Sequence, residues 1–557
     1  MFASANKVIV GPYRDGDNFW HVWQLWTVHR SLVHGTDPAF TDRIYALIPG
    51  GVPIFVENWL SEIVGAFLGA ATTPLVAYNI LIWSSFALGG IVMYALAGEF
   101  TRSWLARMMA GVVFTFSTYH FWRAAGHLGE VTIEFMPLYA WRLIVLIRRP
   151  TPANAVWAAL SLAAVPLSEV YYGPYFVYPF TLLVLIGLVV AERAWFTRRN
   201  SVLLTLAMGA GLILTAVPLR SFFAVAPDVK ALVASYAQSS LDPLSADAAT
   251  LFAPNSANPL FGSLTAGVYA HLPSPYPVEQ AVYLGWIGLA LAVLAAIVMR
   301  RERWVWFWGA VTLAGVLLSL GPHLHVAGHT IMPLPFYEVL YHWPGLSNFR
   351  APNRLIVLAQ VGLAVLAAYG VAIILERAGA KSQRTLLLAR TLVVACMFAS
   401  VAECLTWSFP LPAAPAIVAW PYSAVGQEQG DDALLELPLT NAGSEQFAQT
   451  VHGKRLVGGF TSRITANMTA SLDKLPLTSY FTANVDSPIM LAGARAGETV
   501  DTRPFSPQLR ASDVRYVALH YDQLDPDSLK WARDLLIRSF GQPRFDDAGV
   551  VAIWQLW

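Results

Sequence analysis

Ten runs of mostly apolar residues, each near the 17–25 residues a helix needs to cross a bilayer, constrain this chain more than any other feature. They cover residues 72–99, 104–119, 132–147, 154–167, 175–191, 201–222, 281–299, 304–320, 354–375 and 385–405. Two are short, as re-entrant or strongly tilted helices are. Only 13% of the 557 residues are charged, about half the share of a soluble domain, so a large soluble enzyme is excluded. The 36 bases against 35 acids create no global field for nucleic acid. Trp, Tyr and Phe crowd near the ends of the apolar runs, where amphipathic rings sit at headgroup level.

Short loops rich in Lys and Arg stay on the cytoplasmic side. Here they are Arg102/Arg107, Arg148/Arg149, Arg193/Arg198/Arg199, Arg300/Arg301/Arg303 and Arg377/Lys381/Arg384, at every second connection. The alternate connections, 120–131, 168–174, 223–280, 321–353 and everything after about 407, are poor in bases and are expected to face away from the cytoplasm. The first run then enters from outside, which puts residues 1–71 outside and calls for one further spanning helix ahead of them.

Within that first outer segment, residues 17–34 set Phe19, Trp20, Trp23, Trp26 and Leu32 among His21, Gln24, His29 and Arg30, as in a helix lying flat on a bilayer. Residues 53–70, with Glu57 and Glu62, form a second candidate of this kind. Residues 409–421 are rich in Pro and Ala and are expected to be a linker. Short β-rich runs follow at 433–437, 515–520 and 550–556, with a helix at 528–540, as in a small α/β domain. The expected fold is mainly α, a polytopic helical membrane protein with about ten spans and a small extracytoplasmic α/β domain. Its parts are a first outer loop at 1–71, a transmembrane domain at 72–407, a linker at 408–425 and the α/β domain at 426–557. Cys396 and Cys404 lie eight apart in one apolar run, a spacing that suits neither a disulfide nor zinc.

Six polar constellations fall at the outer face. Arg14-Asp15-Gly16-Asp17-Asn18 can hold a divalent cation or supply a general base; it can equally be an Asp-Gly turn capping the next helix. Glu130, beside His127, and Glu134 fall one turn apart if a helix begins near Gly129. Glu169 sits at the tip of a tight helical hairpin beside Tyr171 and Tyr172. Glu279 and Tyr283 open another span. Arg350 and Arg354 lie four apart at an outer boundary, against the positive-inside trend, and Arg suits bidentate phosphate contact or headgroup anchoring. His323, His325 and His329 have metal-like spacing, but no acid or Cys is expected to complete the set.

The stretches Asp15-Gly-Asp-Asn-Phe-Trp-His-Val-Trp, Ile48-Pro-Gly-Gly-Val-Pro, Gly126-His-Leu, Val282-Tyr-Leu-Gly, Asn348-Phe-Arg-Ala-Pro-Asn-Arg and Val451-His-Gly-Lys-Arg-Leu-Val-Gly-Gly-Phe resemble those of bacterial proteins in the GT-C superfamily of membrane glycosyltransferases. That resemblance implies a catalytic acid in the first outer loop, a polyprenyl-phosphate-linked sugar as donor, and a glycan, lipid or protein acceptor at the periplasmic side of the inner membrane. It matches Asp17 best, then Asp15, to the acid, and Arg350 and Arg354 to the donor phosphate. His127 and Glu130, with Glu169, Glu279 and Tyr283, are the supporting polar groups. A divalent cation, magnesium or manganese, is the one cofactor considered, on Asp15 and Asp17. Sugar transfer with inversion is the leading expectation. A lipid-linked glycan carrier or flippase and a non-catalytic cell-envelope assembly protein are the alternatives.

Overall fold

Each of the ten apolar runs contains helix among the described residues, and helix boundaries follow local chemistry. Ser103 accepts a hydrogen bond from the Ala106 amide, Thr151 precedes a proline at the first helical turn, and Ser382 accepts from the Thr385 amide, all standard N-terminal caps. The computed structural model describes every residue except 1–5, 12–15, 55–56, 217, 221–240, 273–276, 338–350, 407–410, 441–442, 462–463, 482–488, 490 and 492–499.

Strand β1 (Val8–Val10) precedes α1 (Asp17–His34) and the two-residue strands β2 (Phe40–Thr41) and β3 (Val52–Pro53). Helices α2 (Trp59–Ala71), α3 (Pro74–Ala97) and α4 (Trp104–Thr115) lead to two short ones, α5 (Thr118–Arg123) and α6 (Leu128–Val131). Then come α7 (Phe135–Arg148), α8 (Pro152–Ser168), α9 (Tyr178–Ala191) and α10 (Arg198–Ala216). The next are α11 (Gly262–Tyr269), α12 (Trp286–Val298), α13 (Arg303–Ser319), the hairpin β4 (His323–Val326) and β5 (His329–Pro333), α14 (Ile356–Gly379) and α15 (Gln383–Cys404). The C-terminal part holds β6 (Ala413–Pro415), α16 (Trp420–Gln427), β7 (Ala433–Leu437), α17 (Gly443–His452) and β8 (Arg455–Leu456). Helices α18 (Ala466–Leu472), α19 (Pro476–Ser479) and α20 (Phe505–Ala511) separate these from β9 (Val514–His520), α21 (Pro526–Phe540), β10 (Phe545–Asp547) and β11 (Val551–Gln555).

Among the described residues, five helical stretches are long and apolar enough to cross a membrane: Pro74–Ala97, Gly173–Ala191, Arg198–Ala216, Pro352–Gly379 and Gln383–Cys404. Five shorter apolar helices accompany them. This is a membrane protein, mainly helical.

The chain folds as two units. One comprises Glu57–Ser61 and Ile80–Pro412; the other comprises Met1–Val56, Glu62–Asn79 and Ala413–Trp557. The helical unit is organised around α14, whose residues Ile356 to Ile373 are all buried and which packs on α13, α12 and α4. Gly362 and Gly370 lie so close to the backbones of Trp308 and Leu291 that a Cβ at either would collide. Small residues let helices approach closely where no hydrophobic drive operates between them.

The second unit holds a five-stranded sheet in the order β10-β11-β9-β7-β8. Strand β7 is parallel to both β8 and β9, and β11 and β10 continue antiparallel. Residues β1 and β6 pair as a small ladder of their own. Several expectations change here. Residues 1–56 and 62–79 belong with the C-terminal segment, so the boundaries 1–71 and 426–557 do not separate two bodies. The stretch expected to link them contains β6 and most of α16. Helix α1 is not a surface helix: Asn18, Phe19, Trp20, His21, Val22, Trp23, Gln24 and Leu25 are all buried. Its aromatic face packs on α17, with Phe19 against Phe447 at 5.1 Å, and on the segment after β8, with Trp20 against Phe460 at 5.6 Å. The indole N–H of Trp23 donates to Gln449. Rings that suit a lipid interface suit an aromatic protein core equally well. Helix α2, in contrast, leaves Ile63, Val64 and Phe67 exposed.

At the carboxyl ends of β7 and β9 lies a buried polar triangle. Tyr422 donates to Glu436 at 2.8 Å, His520 Nε2 lies 3.0 Å from the same carboxylate oxygen, and Tyr422 Oη lies 3.1 Å from His520 Nε2. His452, ending α17, stacks on Tyr422 with centroids 5.5 Å apart. Burial disfavours charge on His520, but the Glu436 hydrogen bond and charge outweigh it and raise the imidazole to about 9. Burial, reinforced by Lys454, pushes His452 down to about 3.

Candidate functional site

The helical unit contains a closed ring of two arginines and two glutamates. Arg123 ends α5, which Ser117 caps through the His120 amide. Glu130 comes from the single-turn α6, Glu279 from the 3-10 turn Pro277–Gln280, and Arg354 from the 3-10 turn Pro352–Leu355 that opens α14. Arg123 lies 2.6 Å from Glu130 and 2.8 Å from Glu279; Arg354 lies 2.7 Å from Glu130 and 2.6 Å from Glu279. All four side chains are at most 12% exposed. A lone charge at such depth is very costly, and a neutral ring with bidentate geometry is a way to keep four. Asn353 adds a hydrogen bond to Glu279 at 3.1 Å. Burial alone would raise the Glu279 carboxyl; the guanidiniums of Arg123 and Arg354 hold it well below the ordinary range.

Aromatic faces cover both cations: Tyr119 lies 4.9 Å from Arg123 and Tyr171 lies 4.6 Å from Arg354, within cation–π reach. Tyr119 and Tyr172 exchange a hydroxyl hydrogen bond at 3.0 Å, and Tyr172 donates onward to the Glu130 carbonyl. Glu169 is buried at the end of α8, with the next amide, Val170, donating to the Glu57 carbonyl at 3.0 Å. Burial, then the neighbouring Glu57 and Glu130, raise Glu169 well above the usual carboxylate range. Gly129 makes room for it, since a Cβ there would collide with the Glu169 carboxylate.

Beside this ring runs an apolar groove of about 690 Å3, walled by Leu182, Leu185, Met208, Leu212 and Leu317, with Tyr175, Tyr337 and Leu355 also lining it. Leu355 directly follows Arg354, and Tyr175 meets the Tyr171 ring at 5.7 Å, so the groove adjoins the polar ring. Its volume lies in the usual range of ligand pockets.

The structure thus brings together Glu130, Glu169, Glu279 and Arg354. His127 stands half-buried at the start of α6, three residues from Glu130. Tyr283 does not join them: it donates to Glu403 at 3.1 Å, and Glu403 also accepts from the Trp286 and Ile287 amides at the start of α12. Glu134 does not share a face with Glu130. The helix breaks between Val131 and Phe135, and Glu134 instead accepts from Ser85 at 2.6 Å. Asp17 occupies the first turn of α1, in the other unit. Asp15 and Arg350 lie outside the described residues. The hairpin histidines do meet an acid from far along the chain: Asp242 lies 2.9 Å from His323 and 3.5 Å from His325. Among the described residues, however, no group of three or more His, Cys, Asp or Glu can hold a metal ion.

Arg123 and Asn353 were missed from the sequence. Arg123 is the sole Lys or Arg of the connection 120–131, directly after Phe121 and Trp122, and that single base in an outer loop was the available signal. Asn353 carried none beyond its place next to Arg354.

Residues 65–397 match a family described as a domain of unknown function, DUF6311. The chain is a member of the DUF6311 family. No curated protein sequence matches it. Among solved structures it is similar to the mycobacterial arabinofuranosyltransferase AftD, with TM-score 0.57 and 14% identity over 99% of this chain and 38% of that one. A variant of AftD gives TM-score 0.53 and 13% identity over 99% and 40%. ArnT of Cupriavidus metallidurans bound to undecaprenyl phosphate gives 0.49 and 11% over 99% and 95%. The chain therefore spans well under half of AftD, and the likeness to it is one of fold.

Proposed function

We propose that the protein is a glycosyltransferase that takes a sugar from a polyprenyl-phosphate donor and passes it to an acceptor at the periplasmic face of a bacterial inner membrane. The observation that carries this reading is the apolar groove lined by Tyr175 and by Leu355, the residue after Arg354: a hydrocarbon-lined slot with a buried arginine next in the chain to its wall fits a ligand with an isoprenoid tail and a phosphate head. The fold shared with an arabinofuranosyltransferase supports sugar transfer as the reaction.

In this reading the acceptor hydroxyl gives its proton to Asp17, and its oxygen attacks the anomeric carbon opposite the phosphate, inverting it. The bond from that carbon to the phosphate oxygen breaks, and the electron pair leaves on the polyprenyl phosphate. Arg354, with Arg350, takes up that negative charge. Both terminal nitrogens of Arg354 are held by carboxylates in the ring, so the donor phosphate displaces one of them. Glu169, whose carboxyl is raised by burial and by Glu57 and Glu130, stands as a further polar group for the donor in this reading. A divalent cation on Asp15 and Asp17 belongs to the same reading.

The test is transfer of labelled sugar from polyprenyl-phosphate donors in membranes containing the full chain. Asp17→Asn should cut transfer by about 10²–10⁴-fold, the usual contribution of a general base, and Leu182→Trp should weaken donor use by filling the groove. An Asp17→Asn protein with undiminished transfer removes the base assignment. Movement of a lipid-linked glycan across vesicles without any transfer would favour the flippase.

A further inference from the structure

The connection between α10 and α12, expected to face away from the cytoplasm, has a stretch built for lipid. Residues 248–272 contain no Lys, Arg, Asp or Glu. Yet Phe252, Leu260 and Leu264 are 57%, 60% and 81% exposed. Single exposed apolar side chains are ordinary; three large ones in an uncharged segment are not.

The depth of this segment is fixed by what holds it. Asn258 donates to the carbonyls of Ala402, Glu403 and Leu405 at 2.8–3.0 Å, which ties the segment across the C-terminal end of α15. Its Oδ1 accepts the Leu260 and Phe261 amides, setting the turn into α11. Trp286, the first residue of α12, donates its indole N–H to the Phe252 carbonyl at 2.9 Å and meets the Phe261 ring at 5.5 Å. Glu403 in turn accepts the first amides of α12, so the start of α12 and the end of α15 lie at one level. Both helices show apolar side chains outward below that level: Val293 and Ile297 on α12, Leu388 and Phe398 on α15. The exposed residues of the connection continue these lipid-facing surfaces past the helix ends.

We propose that α11 and the turn before it are an interfacial element, whose Phe252, Leu260 and Leu264 insert into the leaflet at which α12 begins and α15 ends. The partner is the boundary between headgroups and acyl chains. Amphipathic surface elements bind there through buried apolar area, and the half-exposed Trp286 sits where an interfacial tryptophan anchors. The inference does not depend on the catalytic reading.

The test uses the full chain in phospholipid nanodiscs, with Cys396 and Cys404 replaced by Ala and nitroxide labels placed singly by Leu260→Cys and Leu264→Cys. Phe398→Cys, on α15, is the lipid standard, and Lys530→Cys, exposed on α21, is the aqueous standard. Collision with oxygen should exceed collision with a water-soluble nickel chelate at 260 and 264, shifting their ratio from the 530 value toward the 398 value. A ratio at either site equal to that at 530 overturns the proposal. So does label-to-label dipolar broadening at 264 that scales with protein per disc, since the face would then be covered by a second copy of the chain. All labelled positions are exposed, so folding is not at stake in the comparison.

Discussion

The buried triangle of Tyr422, Glu436 and His520 makes the stability of the sheet unit depend on pH in a defined direction. His520 binds its proton more tightly folded than unfolded, at about 9 against 6.5, because Glu436 accepts from it in a site closed to water. Its contribution is therefore complete below pH 6.5 and is lost as the pH rises through about 9. At about 1.4 kcal/mol per pH unit the full contribution is about 3 kcal/mol, or roughly 100-fold in the opening equilibrium of the strands that carry the pair. His452 works the other way: pushed down to about 3, it contributes fully above pH 6.5 and loses that contribution as the pH falls. The sheet should thus be best protected near pH 6.5. Hydrogen exchange of peptides covering β7 and β9 in the full chain, corrected for the intrinsic pH dependence of exchange, measures this directly. Protection should fall by about two orders of magnitude between pH 6.5 and 9.5, and His520→Gln should remove that alkaline limb while leaving the acid one. An alkaline loss that persists in His520→Gln, or protection that is flat to pH 9.5, would refute the linkage.

Other consequences can be read from single sites. Glu279→Gln leaves two buried guanidiniums sharing Glu130 alone, and breaking a buried ion pair in this way costs about 3–5 kcal/mol; thermal unfolding in detergent should show a clearly lower midpoint than for Glu376→Gln. Gly129→Ala drives a methyl group into the Glu169 carboxylate and should lower both stability and any sugar transfer, whereas Gly209→Ala, with open space around it, should not. Glu403→Ala strands the Ile287 amide at the start of α12 and removes the acceptor of the Tyr283 hydroxyl, while the Trp286 amide keeps Tyr283 as acceptor; at about 1–3 kcal/mol for a buried group left unpaired, faster exchange at the Ile287 amide should reveal it.

The helices were legible because hydropathy and capping are local: residues 17–34 and 433–437 come out with the bounds expected from the sequence. What the sequence could not convey was partnership over distance. The tryptophans of α1 have one pattern whether they meet lipid or Phe447 and Phe460, and those partners lie more than 400 residues away. Glu130 and Glu134 have helical spacing, but after Val131 the helix breaks, and the Ser85 hydroxyl sits 2.6 Å from both the Val131 carbonyl and the Glu134 carboxylate. Of the polar ring, the residues that stood out as charges at the edge of an apolar run were found. Arg123 was hidden among aromatics, and Tyr283 was grouped with Glu279 by sequence proximity although its hydroxyl serves another carboxylate.

Because one unit is assembled from the two ends of the chain, its birth is discontinuous. Roughly 330 residues of the helical unit separate Asn79 from Ala413, and at about 5–20 residues per second the ribosome needs some 15–65 s to cross them. Throughout that interval α1 exists without α17, so Phe19, Trp20 and Trp23 have no core to enter. A nascent chain arrested before Ala413 should therefore be cut by protease within α1, and the same bonds should become resistant once α17 and Phe460 emerge. For this protein, a helix made late decides when one made early is safe.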